Sequence, residues 1–382
     1  MLTSAPPPTS RHGPAFWLPR LLVVLLLVSG VRPALVAAQE DIPEPPEITA
    51  AAAYALDIDA DQPLYALNAD EELAPASTTK IATALVIVQN AELSDQVEIE
   101  EGDLVDTDVF SNMGLVAGDT LTVELLLYGL LLPSGNDAAK ALARHVGSSL
   151  PGGEEDPVAA FVQAMNDLVA ELGLEHTNFV NPAGEDAEDH YSSAHDLAVL
   201  AGELLDVPEL ATIVDTEIYE GQSVGPEARL YTLNTTNSIL NEIGIIGVKT
   251  GITENAGGSL VAGAVYQSNR VVTVVLGSDT STDPASGFLT SPARYDDSLA
   301  IIQTIPSDYN WVDPASVEGL EEAMAAWQVA LGEGADLVIP EGGDPVDFAL
   351  RLGPEGSTGD EVGSVVFFVG DRQIAERPLF QT

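Results

Sequence analysis

The stretch Ala74-Pro75-Ala76-Ser77-Thr78-Thr79-Lys80-Ile81-Ala82-Thr83 decides how this chain is read. It sets a serine three residues before a lysine, at the entrance to the run Ile81 to Val88, which is apolar on nearly every side. Such a run predicts a buried helix rather than a surface one. Positions i and i+3 of a helix share a face, so Ser77 and Lys80 would point a hydroxyl and an amine into one pocket. A serine hydroxyl is a poor nucleophile at neutral pH and needs a base. An amine can serve only if its pKa falls well below the free value of about 10.4. Burial and a second nearby cation both act in that direction, and Lys249 could be that cation. If Ser77 starts the helix, its backbone N–H faces the point where oxyanion charge develops. Alone, the pair is a weak signal, because an N-cap serine followed by a solvated lysine has the same spelling.

Two further elements strengthen it. The chain of 382 residues has 60 acidic residues against 13 basic ones, and only three lysines. Lys249 opens Lys249-Thr250-Gly251 after the apolar run Ile245 to Val248. A cation and a hydroxyl there suit a substrate carboxylate, and glycine lets a ligand approach the backbone closely. Between the two lies Ser134-Gly135-Asn136, on a predicted turn between helices over Leu121 to Leu132 and Asp137 to Val146. Turn chemistry alone would explain those three residues, and a plain strand end would explain the third motif. The chemical reading makes Ser134 a proton relay from Lys80 to a leaving amine and Asn136 a ligand for a substrate amide. All three motifs in this order point to serine acyl transfer.

Longer stretches extend the pattern: Leu130 to Ala139, Leu172 to Gly184, His190 to Leu197 and Gly247 to Leu260. With Ala74 to Thr83, they make the chain resemble the serine-type D-alanyl-D-alanine carboxypeptidases, the low-molecular-mass penicillin-binding proteins. The resemblance covers about residues 48–305. It implies that Ser77 is acylated, that Lys80 is its base, and that Ser134 and Asn136 form the second motif. Lys249, Thr250 and Gly251 would form the third, the N–H groups of Ser77 and Ile252 the oxyanion hole, and Arg294 would lie near the substrate carboxylate. The implied substrate is a peptidoglycan stem peptide ending in D-Ala-D-Ala, with β-lactams as inhibitors and no cofactor or metal. The chain departs from the family in three respects. It stops soon after its last strand, without an amphipathic anchoring helix. Ala183 stands where the family often has His. Asp279 to Pro292 is longer than usual.

The rest of the sequence bounds the fold. Hydrophobic residues make up 46%, enough for a real core, and there is no cysteine. A net charge of −47 argues against nucleic acid and anionic lipid surfaces, which need basic faces. Arg11 and Arg20 precede the apolar run Leu21 to Val28, and Val36-Ala37-Ala38 offers a cleavage site. Residues 1–38 therefore read as a signal peptide for export, with an uncleaved membrane anchor as the alternative. Residues 39–47 read as an acidic, proline-rich spacer. The expected fold class is α+β: a penicillin-binding-protein/β-lactamase-like transpeptidase domain over 48–307, with an antiparallel sheet and a helical region. Its predicted elements are a hairpin over Ala53 to Ile58 and Pro63 to Leu67, a helical stripe over Phe161 to Leu172, strands at Ser259 to Tyr266 and Arg270 to Gly277 around Gln267-Ser268-Asn269, and a closing helix over Arg294 to Ile305. A small β-rich domain is expected over 309–382, with alternation along Val346 to Leu352 and a turn at Gly370-Asp371.

Other readings compete. Asp57, Asp59 and Asp61 imitate a calcium loop, but Gln62 and Asn68 occupy positions that need Gly and Glu, so a turn is expected. A β-lactamase would share the first and third motifs and need a glutamate for deacylation. Glu175 and Glu185 are candidates by position, though neither sits in the expected context. A zinc peptidase would draw on His190 and His195 with Glu185, Asp186 and Asp189, yet no His-Glu-x-x-His occurs. A penicillin-sensing module that acylates without turnover is the non-enzymatic alternative.

Overall fold

The computed structural model describes residues 46–266, 268–353 and 356–382. The expected signal segment 1–38 and most of the spacer 39–47 lie outside the described residues, as does Gln267 of the expected hairpin turn.

Five antiparallel strands build the central sheet: β1 (Ala52–Asp57), β2 (Gln62–Leu67), β3 (Lys249–Thr253), β4 (Gly257–Tyr266) and β5 (Asn269–Ser278). Their spatial order is β2-β1-β5-β4-β3. Strands from both ends of the segment therefore meet, with Ala53 opposite Val275 and Tyr54 opposite Val274. The period of two along β1 sends Ala52, Tyr54 and Leu56 into the core beneath the helices. Ala53 and Ala55 face a second core, shared with Ile301, Ile302 and Ile305 of the closing helix. Both faces are covered, which is why these strands read as nearly unbroken apolar runs. β3 is an edge strand, and the side away from β4 is free to pair with a ligand.

One face carries α1 (Lys80–Asn90), α2 (Val123–Leu131), α3 (Asn136–Gly147), α4 (Pro157–Glu171), α5 (Ala194–Asp206) and α6 (Pro208–Val214). The other carries α7 (Ala293–Asp308). α1 is buried from Lys80 to Ile87 and touches α2, α3, α4 and α5, as its all-round apolarity predicts. The helix expected from Leu121 begins two residues later. Thr120–Thr122 pairs with Gln96–Glu98 as a short strand, and the Thr122 hydroxyl caps α2 by accepting from the Leu125 N–H at 3.2 Å. Asp57 makes a tight turn, its Oδ1 accepting from the N–H groups of Asp59 (3.0 Å) and Ala60 (2.8 Å), while Asp59 pairs with Arg270 at 2.6 Å. Those carboxylates are spent on the turn and an ion pair rather than on a cation loop.

The C-terminal residues contribute β6 (Tyr309–Val312), α8 (Leu320–Trp327), β7 (Val329–Leu331), β8 (Leu337–Pro340), β9 (Val346–Leu352), β10 (Glu361–Val369) and β11 (Arg372–Gln381). β6 pairs with β8, and a four-stranded sheet runs β7-β11-β10-β9. The alternating Val346, Phe348, Leu350 and Leu352 cover a separate core of Val365, Phe367 and Leu379. Gly370, at φ 57°, makes the tight turn between β10 and β11. Tyr309 and Trp311 link this region to the central sheet through the Leu64 carbonyl (2.7 Å) and the Asp57 carboxylate (2.7 Å). Sequence patterning missed α8 and the hairpin Ile218–Gln222 with Leu230–Asn234, whose residues alternate too weakly to announce a face. No helix among the described residues is long and apolar enough to cross a membrane.

Candidate active site

The three motifs converge at the junction of α1, the α2–α3 turn and the edge strand β3. Ser77 lies on a 3-10 turn, Ala76–Thr79, that runs directly into α1. The hydroxyl is half-buried, whereas Lys80 is 0% exposed. The Lys80 Nζ donates to Ser77 Oγ at 2.8 Å, to Asn136 Oδ1 at 2.8 Å and to the Ala183 carbonyl at 2.5 Å. Burial lowers the Lys80 pKa to about 7, against the opposing pull of Glu185 and Asp137. Such an amine can hold or release a proton at neutral pH.

Lys249 is equally buried, and its Nζ donates to the Thr250 carbonyl at 2.9 Å. Its pKa is pushed well below the ordinary lysine value, first by burial and then by the positive charges of Lys80 and Arg294. The expected interaction between the two lysines is thus present. Lys80 has acidic neighbours that offset repulsion, and Lys249 has none acting on it. A ligand carboxylate would supply the missing partner.

Thr250 and Arg294 belong to one hydrogen-bonded chain. The two threonine hydroxyls of Thr250 and Thr236 lie 2.6 Å apart, and the Thr236 carbonyl accepts from the Tyr295 hydroxyl at 2.8 Å. Arg294 Nη2 donates to that hydroxyl at 3.0 Å and Nη1 donates to the Gly251 carbonyl at 2.9 Å. β3 approaches the serine turn so closely that a Cβ on Gly251 would stand 3.0 Å from Ala76 Cβ and 3.1 Å from the Ser77 nitrogen. Ile252, next along this edge, is half-buried. The long segment 279–292 folds partly as a hairpin, Ser281–Thr282 with Leu289–Thr290, and packs against β3.

A sequence model of the D-alanyl-D-alanine carboxypeptidase family matches residues 39–280. The chain belongs to this family. Among its curated relatives is the D-alanyl-D-alanine carboxypeptidase DacF of Bacillus subtilis, 37% identical over 238 residues, a match spanning 60% of this chain and 58% of the relative. DacC of Escherichia coli is 29% identical over 371 residues, covering 91% of this chain and 86% of the relative. Among solved structures, the Streptomyces K15 DD-transpeptidase superposes with a TM-score of 0.62 at 33% identity, over 69% of this chain and 99% of that one. Penicillin-binding protein 5 of Haemophilus influenzae does so with a TM-score of 0.68 at 26% identity, over 88% and 97%. The antiparallel sheet with its helical region is the fold these neighbours share.

Within this D-alanyl-D-alanine carboxypeptidase fold, Ser134 makes no hydrogen bond to Lys80. It is buried at the head of α3 in the left-handed region (φ 64°), and its Oγ has no hydrogen-bond partner among the described residues. The donors of Lys80 go instead to Ser77, Asn136 and Ala183. A buried hydroxyl without a partner is able to bond a ligand atom.

Several contributors were invisible to motif reading. The Ala183 carbonyl carries no side-chain signature. Asn181 Oδ1 accepts from the N–H groups of Ala183 (3.1 Å), Gly184 (2.8 Å) and Glu185 (3.0 Å), which sets the loop 181–186 rigidly beside Ser77. Asp186 then clasps β3 through the Thr253 hydroxyl at 2.7 Å. Asp137 is buried and accepts from three successive N–H groups, Met113 (3.0 Å), Gly114 (3.1 Å) and Leu115 (3.0 Å). An Asn-Pro-Ala-Gly turn and an aspartate in the first turn of a helix were the available signals, and both spell ordinary loops and caps.

The two histidines are engaged separately. The Val180 N–H donates to His190 Nδ1 at 3.0 Å, so Nε2 carries the proton that meets Thr79 Oγ1 at 2.9 Å. His195 faces Asp196 at 3.3 Å and Asp70 at 3.6 Å. No metal-holding cluster occurs among the described residues. Burial lowers the His190 pKa from 6.5 to about 4. The unfolded chain therefore binds this proton at a pH where the folded protein refuses it. Stability from His190 is complete above pH 6.5 and is lost as pH falls towards 4, by about 3 kcal/mol in total. His190→Gln should flatten that part of the pH dependence of urea unfolding. An unchanged slope between pH 6.5 and 4 would contradict the assignment.

Proposed function

We propose that this chain is a serine D-alanyl-D-alanine carboxypeptidase that removes the terminal D-Ala from peptidoglycan stem peptides through an acyl-enzyme on Ser77. The observation that carries the reading is a fully buried lysine, its pKa lowered to about 7, with Nζ 2.8 Å from a half-exposed serine oxygen. Neutral Lys80 takes the Ser77 proton as Oγ attacks the carbonyl between the two D-Ala residues. The N–H groups of Ser77 and Ile252 receive the developing oxyanion. Asn136 orients the substrate amide, and Ser134 passes the proton to the departing D-Ala nitrogen. Lys249, Thr250 and Arg294 hold the terminal carboxylate, with Gly251 letting it lie against the strand, and the carboxylate restores the charge that burial denies Lys249.

Acyl transfer belongs in this proposal to residues 48–307, and 309–382 takes no part in the chemistry. The setting is the extracytoplasmic face of the cell wall, reached by export through the leader 1–38. β-Lactams, which share the geometry of the substrate, would acylate Ser77.

Mass spectrometry of the intact protein after exposure to benzylpenicillin tests the reading. One adduct is expected on the peptide containing Ser77, none in Ser77→Ala, and several equivalents of D-Ala per site from a diacyl-D-Ala-D-Ala peptide. An adduct elsewhere, or one that persists in Ser77→Ala, would overturn the assignment.

A further inference from the structure

An acyl-enzyme can be released by water or by an amine, and the Streptomyces K15 relative is described both as a transpeptidase and as a D-alanyl-D-alanine carboxypeptidase. What decides the outcome is whether the site contains a base for water. Lys80 serves the first half of the reaction, and a carboxylate in the same hydrogen-bonded group would serve water in the second.

Glu185 sits there. Its Oε1 accepts from Asn136 Nδ2 at 3.3 Å, and Asn136 Oδ1 in turn accepts from Lys80 Nζ at 2.8 Å. The carboxylate, the amide, the amine and Ser77 Oγ thus form one connected row. The next four residues, Asp186 to Asp189, are exposed, but Glu185 is half-buried. Its backbone is held at both ends by one side chain, Asn181, which accepts from the Glu185 N–H at 3.0 Å and donates to the Glu185 carbonyl at 2.8 Å. Gly184, immediately before it, lies against the serine turn itself, since a Cβ there would be 2.9 Å from the Ser77 nitrogen. A solvated surface acid would show neither this anchoring nor this contact. Among the acidic residues described, Glu185 and Asp137 are the two whose charge is felt at Lys80. Asp137 is already committed to three backbone N–H groups.

We propose that Glu185 is the general base for deacylation and makes this site hydrolytic. The inference rests on the acyl-enzyme reading above. A water oxygen bonds to the ester carbonyl carbon while one of its protons passes to the Glu185 carboxylate. That proton passes on to Lys80, which the first half-reaction left neutral. The tetrahedral intermediate collapses, the carbon–Oγ bond breaks, and Ser77 Oγ takes the proton from Lys80. The peptide leaves as its carboxylic acid, with Glu185 again a carboxylate and Lys80 again a neutral amine. The same step would act on a penicilloyl ester, so the protein should also clear bound penicillin.

Glu185→Gln tests this on the full-length protein, because glutamine keeps an acceptor for Asn136 and removes only the base. Acylation by benzylpenicillin should keep its wild-type rate to within a few-fold. Decay of the adduct and turnover of the diacyl-D-Ala-D-Ala peptide should slow by about 10²- to 10⁴-fold, so that the acyl-enzyme accumulates. Hydroxylamine, a nucleophile that needs no base, should release the trapped acyl group from the variant. Deacylation at the wild-type rate in Glu185→Gln overturns the proposal. So does a variant that loses acylation and deacylation together, since Glu185 would then only hold the site in shape. A wild-type protein that never acylates would instead refute the acyl-enzyme reading itself.

Discussion

Lys80→Met will slow acylation of Ser77 by about 10⁴- to 10⁶-fold, the range seen when a nucleophile loses its only base, and will leave the melting temperature within a few degrees. The first effect follows from the 2.8 Å contact, since no other described group donates to or accepts from Ser77 Oγ. The second comes from two opposed costs. A lysine whose folded pKa is about 7 and whose unfolded pKa is near 10.5 weakens folding at every pH below the upper value. That penalty is complete below pH 7, on the order of 5 kcal/mol, and fades as pH rises towards 10.5. Methionine removes it, but leaves Asn136 Oδ1 and the Ala183 carbonyl without their donor, at about 1–3 kcal/mol each. The two nearly cancel. In the wild type the acylation rate should rise about tenfold per pH unit below 7 and level off above it, as Lys80 loses its proton. Stopped-flow acylation by a chromogenic β-lactam measures both the loss and the profile. A variant that acylates within tenfold of wild type would remove Lys80 from its role.

Gly184→Ala is the second large effect. Gly184 has φ 83°, a region costly for any residue with a Cβ, and that Cβ would stand 1.9 Å from the Ala76 carbonyl oxygen. Neither side can yield cheaply. The loop is held by Asn181, and Ala76 leads directly into the buried helix α1. A destabilisation of about 2–4 kcal/mol is expected, together with acylation slowed about 100-fold by a displacement of roughly 1 Å at Ser77. Gly173→Ala is the control. Gly173 has φ 69° but open space around it, so the variant should lose about 1–2 kcal/mol and keep its acylation rate. Urea titrations and acylation rates of the two variants settle the matter. Equal behaviour would mean that backbone strain alone, not contact with the serine turn, explains Gly184.

How much of this was legible beforehand depended on what each feature is made of. The i, i+3 spacing of Ser77 and Lys80 on an apolar helix was readable because helix geometry is local. The period of two in β1 and the alternation in β9 were readable for the same reason. The start of α2 was misjudged because Leu121 is as apolar as the helix it precedes, and only the Thr122 cap separates them. Glu185 was named as a candidate and set aside for want of context, because its context is the distant Asn136 amide rather than its neighbours in sequence. The Ser134 relay was inferred from residue type, and its Oγ has no hydrogen-bond partner among the described residues.

Residue order alone determined which side chains the chain possesses for acyl transfer and which periodicities its segments obey, since both depend on chemical identity and nearest-neighbour geometry. Tertiary packing decided the rest: that an amine becomes a base, that a second buried lysine lies close enough to feel its charge, and that a loop more than a hundred residues away delivers a carbonyl to Lys80 and a carboxylate to Asn136. Those properties arise from excluded water and from distances across the fold, which no local pattern encodes.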